Sequence, residues 1–137
     1  MTTIAERTIY ITEADMNRLR PLIDGMKNSR DDLRDLQTEL EQARVVAPVD
    51  IPPDVITMNS KARLRDLETG EKMIYTLVFP GAANIEENKI SVVAPIGTAM
   101  LGQRVGDEIQ WDVPAGTVRL RVEQLLYQPE AAGHFHL

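Results

Sequence analysis

Apolar side chains recur along this chain with two different periods, and the change of period divides it. In the N-terminal part Met16, Leu19, Ile23 and Met26 follow at spacings of three, four and three. That is the stripe of a helix packed on a neighbour. Thr12 precedes the run as an N-cap candidate, with Asp15 at N3, close to a capping box. Pro21 falls inside the run and predicts an end or a kink near Arg20. Gly25 to Ser29 offers turn chemistry, and from about Arg30 the same spacing returns at Leu33, Leu36, Leu40 and Ala43. Two such seams around a turn predict a short antiparallel helical hairpin of coiled-coil type. Its second arm, over 31–44, would be about 21 Å long at the rise of an α-helix. Upstream, Thr8-Ile9-Tyr10-Ile11 is β-prone but short, and predicts a stray strand.

The C-terminal part has a period of two. Ala62 and Leu64 alternate with Lys61, Arg63 and Arg65, as in a half-exposed strand. After a turn at Glu68 to Glu71, with Gly70 free to take positive φ, residues 72–79 are apolar on both faces, which predicts an interior strand. Ile90 and Val92 mark another short strand. Pro95 to Leu101 reads as a short helix, with Pro95 at N1 and Gly102 as its stop. Ile109, Trp111 and Val113 alternate strictly, as do Val118, Leu120 and Val122. The phase then shifts to Leu125 and Tyr127, predicting a β-bulge near Gln124. The pattern implies four or five antiparallel strands with one covering helix, followed by a loose tail over 128–137. Trp111 and Tyr75 fall at inward positions and read as core.

Three prolines within Ala47 to Asp54 separate the halves. Proline removes donors and fixes extended backbone, so neither a helix nor a central strand is expected to cross. The expected organisation is a hairpin over 1–46, a linker over 47–54 and a sheet domain over 55–137, an α+β protein. The linker leaves limited freedom between the two parts, and the hairpin seam offers a surface for weak dimerisation beside a monomer.

Charge and composition narrow the chemistry. A net charge of −6 over 137 residues argues against unaided tight binding to duplex DNA, so nucleic acid is expected only indirectly, through a protein partner. With no cysteine, thiolate metal sites and cysteine nucleophiles are excluded. The two histidines, His134 and His136, lie in the tail without a carboxylate pair, so no metal site is expected there. No P-loop, nucleophile elbow or zinc-protease motif occurs, and no enzymatic activity or cofactor is expected. No apolar run is long enough for a membrane span, and the default location is the cytoplasm.

One segment carries a family resemblance. Lys89 to Gly102, followed by Val105-Gly106-Asp107, resembles the C-terminal domain of the Gre transcript-cleavage factors: a strand, a proline helix start, an Ala-rich turn, a Leu-Gly stop and a Val-Gly-Asp turn. The opening hairpin of that domain is similar to Val55 to Asp66 with Thr69-Gly70-Glu71. Asp54 to Ser60, Ala94 to Gly97 and Tyr127 to Gly133 look like one branch in particular, the regulators of nucleoside diphosphate kinase. The resemblance implies an FKBP-like sheet domain that docks on RNA polymerase at the rim of its secondary channel.

On that footing Val93, Ala94, Pro95, Ile96 and Gly97 are the candidate polymerase-binding residues. In the Gre factors an acidic or polar residue and a Ser precede the proline; here Val93 and Ala94 replace them, so the contact need not be chemically the same. Arg30, Asp31 and Asp32 sit at the hairpin tip. Cleavage-active relatives use an acidic tip to help hold a metal, but Arg30 and Lys27 offset these carboxylates, which also suit a helix N-terminus. An arm this short implies occlusion of the site without transcript cleavage. The alternatives are an active cleavage factor using Asp31 and Asp32 and, less well supported, a prolyl isomerase of the same fold, for which the aromatic content is poor. Lys61, Arg63 and Arg65, with Arg119 and Arg121 as candidate neighbours, form a basic stripe. It could meet an acidic polymerase surface or nascent RNA, or be ordinary solvated charge.

Overall fold

The computed structural model describes residues 8–26, 28–114 and 116–134, with side chains throughout except at 111–113. The chain enters through β1 (Tyr10–Ile11) and forms two helices, α1 (Glu13–Met26) and α2 (Asp31–Glu41). It then returns alongside its own start as β2 (Arg44–Val45), parallel to β1. The β-prone segment thus has a partner: Arg44 N–H donates to the Ile9 carbonyl at 2.8 Å and Val46 N–H to that of Ile11 at 3.0 Å.

Thr12 caps α1 as its position predicts, its Oγ1 accepting the Asp15 N–H at 3.2 Å. Pro21, however, does not end the helix, which continues to Met26. Pro21 faces solvent, whereas Ile23 is fully buried and Leu22 and Met26 partly so. A buried apolar side chain contributes about 1.5–3 kcal/mol, enough among the three to offset the roughly 3 kcal/mol cost of an interior proline. The second arm is shorter than its periodicity implies. Gln42 and Ala43 N–H groups bond to the Glu39 and Leu40 carbonyls in a tightened last turn, and β2 claims Arg44. Eleven residues make a helix about 16 Å long.

The sheet contains β3 (Lys61–Asp66), β4 (Lys72–Val78), β5 (Lys89–Ser91), β6 (Glu108–Val113) and β7 (Gly116–Tyr127), in the order β5-β4-β3-β7-β6. The α+β class holds, but the sheet is mixed where the pattern implied an antiparallel one. β5 runs parallel to β4, with Leu77 opposite Ile90. Two 3₁₀ turns, Pro80–Ala82 and Ile85–Glu87, and the left-handed Asn88 (φ 57°) carry the chain back far enough for that pairing. Against β3, the register of β7 slips between Lys61 and Ala62 and again between Arg63 and Leu64. The expected bulge is therefore two irregularities, one on each side of Gln124.

One apolar cluster spans both halves of the chain. Leu19, Ile23, Leu33 and Leu36 of the hairpin belong to it together with Leu64, Leu77 and Val122 of the sheet and Met100 of α3 (Pro95–Met100). The hairpin seam is thus covered within the chain. The proline strip holds a single 3₁₀ turn, Pro48–Asp50, and buries Ile51. The expected loose tail is docked over its described part. Gln128 is buried and donates to the carbonyls of Pro52 (2.8 Å) and Val55 (2.7 Å), and Pro129–Ala132 form a last helix, α4. Buried carbonyls need a donor, and the Gln128 amide supplies one to two of them. Lys27 and His136 lie outside the described residues, as does the side chain of Trp111; Tyr75 is part-buried against the core.

Candidate functional site

The hairpin tip and the start of α3, distant in sequence, form one surface. Arg30 Nε donates to Asp32 Oδ1 at 2.7 Å and its Nη2 to Oδ2 at 3.1 Å, a bidentate pair. The same Nη2 donates to the Val93 carbonyl at 2.6 Å. Asp32 is therefore neutralised and held down, and Arg30 ties the tip to the segment that opens α3. Asp31 differs: its side chain is 98% exposed, with Arg34 3.8 Å away.

The segment 91–98 is built without a hydroxyl at the N-cap, which is Ala94. Ser91 and Thr98 instead fix the loop that leads into the helix. Ser91 Oγ accepts the Val93 N–H at 3.2 Å, its carbonyl accepts the Ala94 N–H at 3.0 Å, and Thr98 Oγ1 donates to the Val92 carbonyl at 2.7 Å. Gly97 lies so close to β5 that a Cβ there would overlap the Ser91 carbonyl oxygen. Pro95 is exposed and Val93, Ala94 and Ile96 are half-buried. Of the candidate binding residues, four reach the surface, and Gly97 sets the approach of the helix to the strand.

On the opposite face of the sheet the basic stripe is real and wider than the pattern indicated. Lys72, Arg65 and Arg121 are direct cross-strand neighbours, with Glu108 next in the row. Glu123, displaced by the irregular register, lies within 4 Å of Arg63, Arg65 and Lys72. Glu108 pairs with Arg119 at 3.3 Å and Arg121 at 3.1 Å, which holds its carboxyl below the usual range.

A third feature was invisible in the sequence. At the base of the hairpin a cavity of about 420 Å³ lies between α1, β2, the proline strip and α4, lined by Thr12, Asp15, Val46, Pro48, Glu130 and His134 among others. Burial first, and then the nearby Glu130 carboxylate, push Asp15 up to about 6. Glu130 accepts the Thr57 hydroxyl at 2.7 Å, and His134 Nδ1 lies 2.6 Å from the Tyr127 hydroxyl. Among the described residues no group of three or more His, Cys, Asp or Glu side chains is arranged to hold a metal ion. Nor is any described helix long and apolar enough to cross a membrane.

A mixed five-stranded sheet carrying a short helical hairpin, with a proline-started helix beside the hairpin tip, defines a Gre-like transcription factor. Residues 51–127 match the family description "Transcription elongation factor, GreA/GreB, C-term", and residues 7–46 match "Rnk N-terminus". The chain belongs to the GreA/GreB family, within its Rnk branch. It is 41% identical over 132 residues to the regulator of nucleoside diphosphate kinase of Escherichia coli strain K12, covering 95% of this chain and 97% of that protein. It is 29% identical over 96 residues to transcription elongation factor GreA of Thermodesulfovibrio yellowstonii, covering 70% of this chain and 61% of that one. A solved structure, the prokaryotic transcription elongation factor GreA/GreB from Nitrosomonas europaea, superposes with a TM-score of 0.77 at 40% identity. That likeness covers 89% of this chain and all of the other.

Proposed function

We propose that this chain is a cytoplasmic regulator of transcription elongation that binds RNA polymerase at the rim of the secondary channel. There it competes with longer Gre factors and stimulates no transcript cleavage. Family membership supports the partner, and the segment Val93 to Ile96, with Pro95 exposed and its neighbours half-buried, is the docking surface. The observation that carries the reading is the Arg30 clasp. A cleavage factor has to push tip carboxylates into the polymerase, away from its own body. Here the tip is tied to the docking segment, Asp32 is consumed by Arg30, and Leu33 and Leu36 just behind it are fully buried. A tip held in this way covers an opening and does not reach through it.

The test is displacement of a labelled Gre factor from core polymerase by this protein. Displacement that weakens in Pro95→Ala or Ile96→Asp variants supports the reading, and failure at high molar excess removes it. The exposure of Asp31 favours a second reading, an active cleavage factor. A backtracked elongation complex decides between them. Cleavage stimulated by the wild type and lost in Asp31→Asn would establish the second reading.

A further inference from the structure

We propose that the open face of the sheet binds the backbone of single-stranded RNA along the row Lys72–Arg65–Arg121. Like charges placed directly opposite one another across strands are destabilising, yet three cations stand in one row over β4, β3 and β7. Each keeps 50% or more of its side chain in solvent. Glu123, within 4 Å of Arg63, Arg65 and Lys72, and Glu108, paired with Arg121, relieve that repulsion and hold the cations in position without covering them. Arg63 adds a further cation beside the row, its enclosed Nε ion-paired with Glu123 Oε1 at 3.4 Å.

The row is a local positive field on a chain whose net charge is −6. That contrast selects the ligand. A duplex would bring its second strand against the acidic remainder, whereas a single strand can follow the row alone. Guanidinium groups suit phosphate oxygens, and these three long side chains rise from adjacent strands about 5 Å apart, free to reach successive phosphates. Ile74, exposed on β4 beside Arg63, gives a base an apolar surface to rest on. An acidic protein segment would need a side-chain anchor for affinity, and the cavities at the base and along the side of the hairpin are lined by none of the residues of this face. The row is also remote from α3, which packs into the other side of the sheet, so this inference stands whether or not the polymerase contact does.

The probe is a labelled twelve-residue oligouridylate, followed by fluorescence anisotropy over a range of salt. Wild type is expected to bind in low salt with a log–log slope of about −2, since each neutralised phosphate contributes about −0.7 for single strands. Arg65→Gln/Arg121→Gln is expected to lose about 1.4 of that slope and at least about tenfold in affinity, with an unchanged melting temperature. Arg34→Gln, off this face on α2, should bind as wild type does. No anisotropy change in low salt, or an unaltered slope in the double variant, overturns the proposal. Equal affinity for oligoglutamate would also overturn it, assigning the face to an acidic protein.

Discussion

The hairpin is fastened to the sheet domain at two ends, and the two fastenings differ in electrostatics. At the tip, Arg30 satisfies a carboxylate and a backbone carbonyl together, so each charge has its opposite. At the base, Asp15 is buried near Glu130, and its carboxyl is pushed up to about 6 because desolvation and a like charge outweigh Arg18 and Thr12. The tip is a compensated contact. The base stores repulsion that a proton removes. The same element is thus held firmly where it meets the start of α3 and conditionally where the chain enters and leaves.

The most severe way to break this comparison is to remove what both ends share. Leu36→Ala, at a fully buried position, should cost about 2–5 kcal/mol, read as a lower denaturation midpoint with both fastenings weakened together. The next largest effect belongs to the base alone. A carboxyl whose folded pKa is raised contributes stability at pH below its unfolded value of 3.8, and that contribution is lost as pH climbs through about 6. Asp15→Asn should therefore gain on wild type by up to about 3 kcal/mol between pH 4 and pH 7, measured by denaturation at each pH. A difference that does not change with pH would place Asp15 in contact with water.

Gln128→Ala leaves the Pro52 and Val55 carbonyls without their donor, at about 1–3 kcal/mol. Hydrogen exchange should rise in α4 and the proline strip and stay unchanged at the tip. The smallest effect is expected at the tip itself. Arg30→Ala should cost about 1 kcal/mol in stability, with faster exchange confined to residues 30–34 and 93–98. Loosening that extended to the base would mean that the two ends are coupled.

Much of this was legible in the sequence, and the parts that were not have a common cause. Three-four spacing of Leu33, Leu36 and Leu40 gave the second helix, the Thr12–Asp15 pair gave the cap, alternation gave three strands and the two-faced apolar run over 72–79 a fourth. These are local signals. The run through Pro21 and the early stop at Glu41 were decided by packing and by the pairing of Arg44 with β1, neither of which periodicity records. The parallel β5 depended on how residues 79–88 fold. Of the candidate site, the tip and the docking segment were named separately. What joins them is one hydrogen bond between residues 63 apart, for which the sequence carries no local signal. Glu123 lies among three cations only because the register slips, and Gln128 was read as tail because its two acceptors lie far back in the chain.

The pairing of β3 with β7 fixes the order in which this molecule can be made. Lys61 sits opposite Tyr127, so the middle of the sheet is completed only once β7 has been made. Until then the hairpin has no finished core to rest on, because Leu120 and Val122 belong to the cluster that buries its seam. Early local structure is confined to helix turns and the β3–β4 hairpin, and the long-range closure comes last. A nascent chain stalled before β7 thus holds no preassembled hairpin, and the hairpin seam gains its full cover only when β7 joins the sheet.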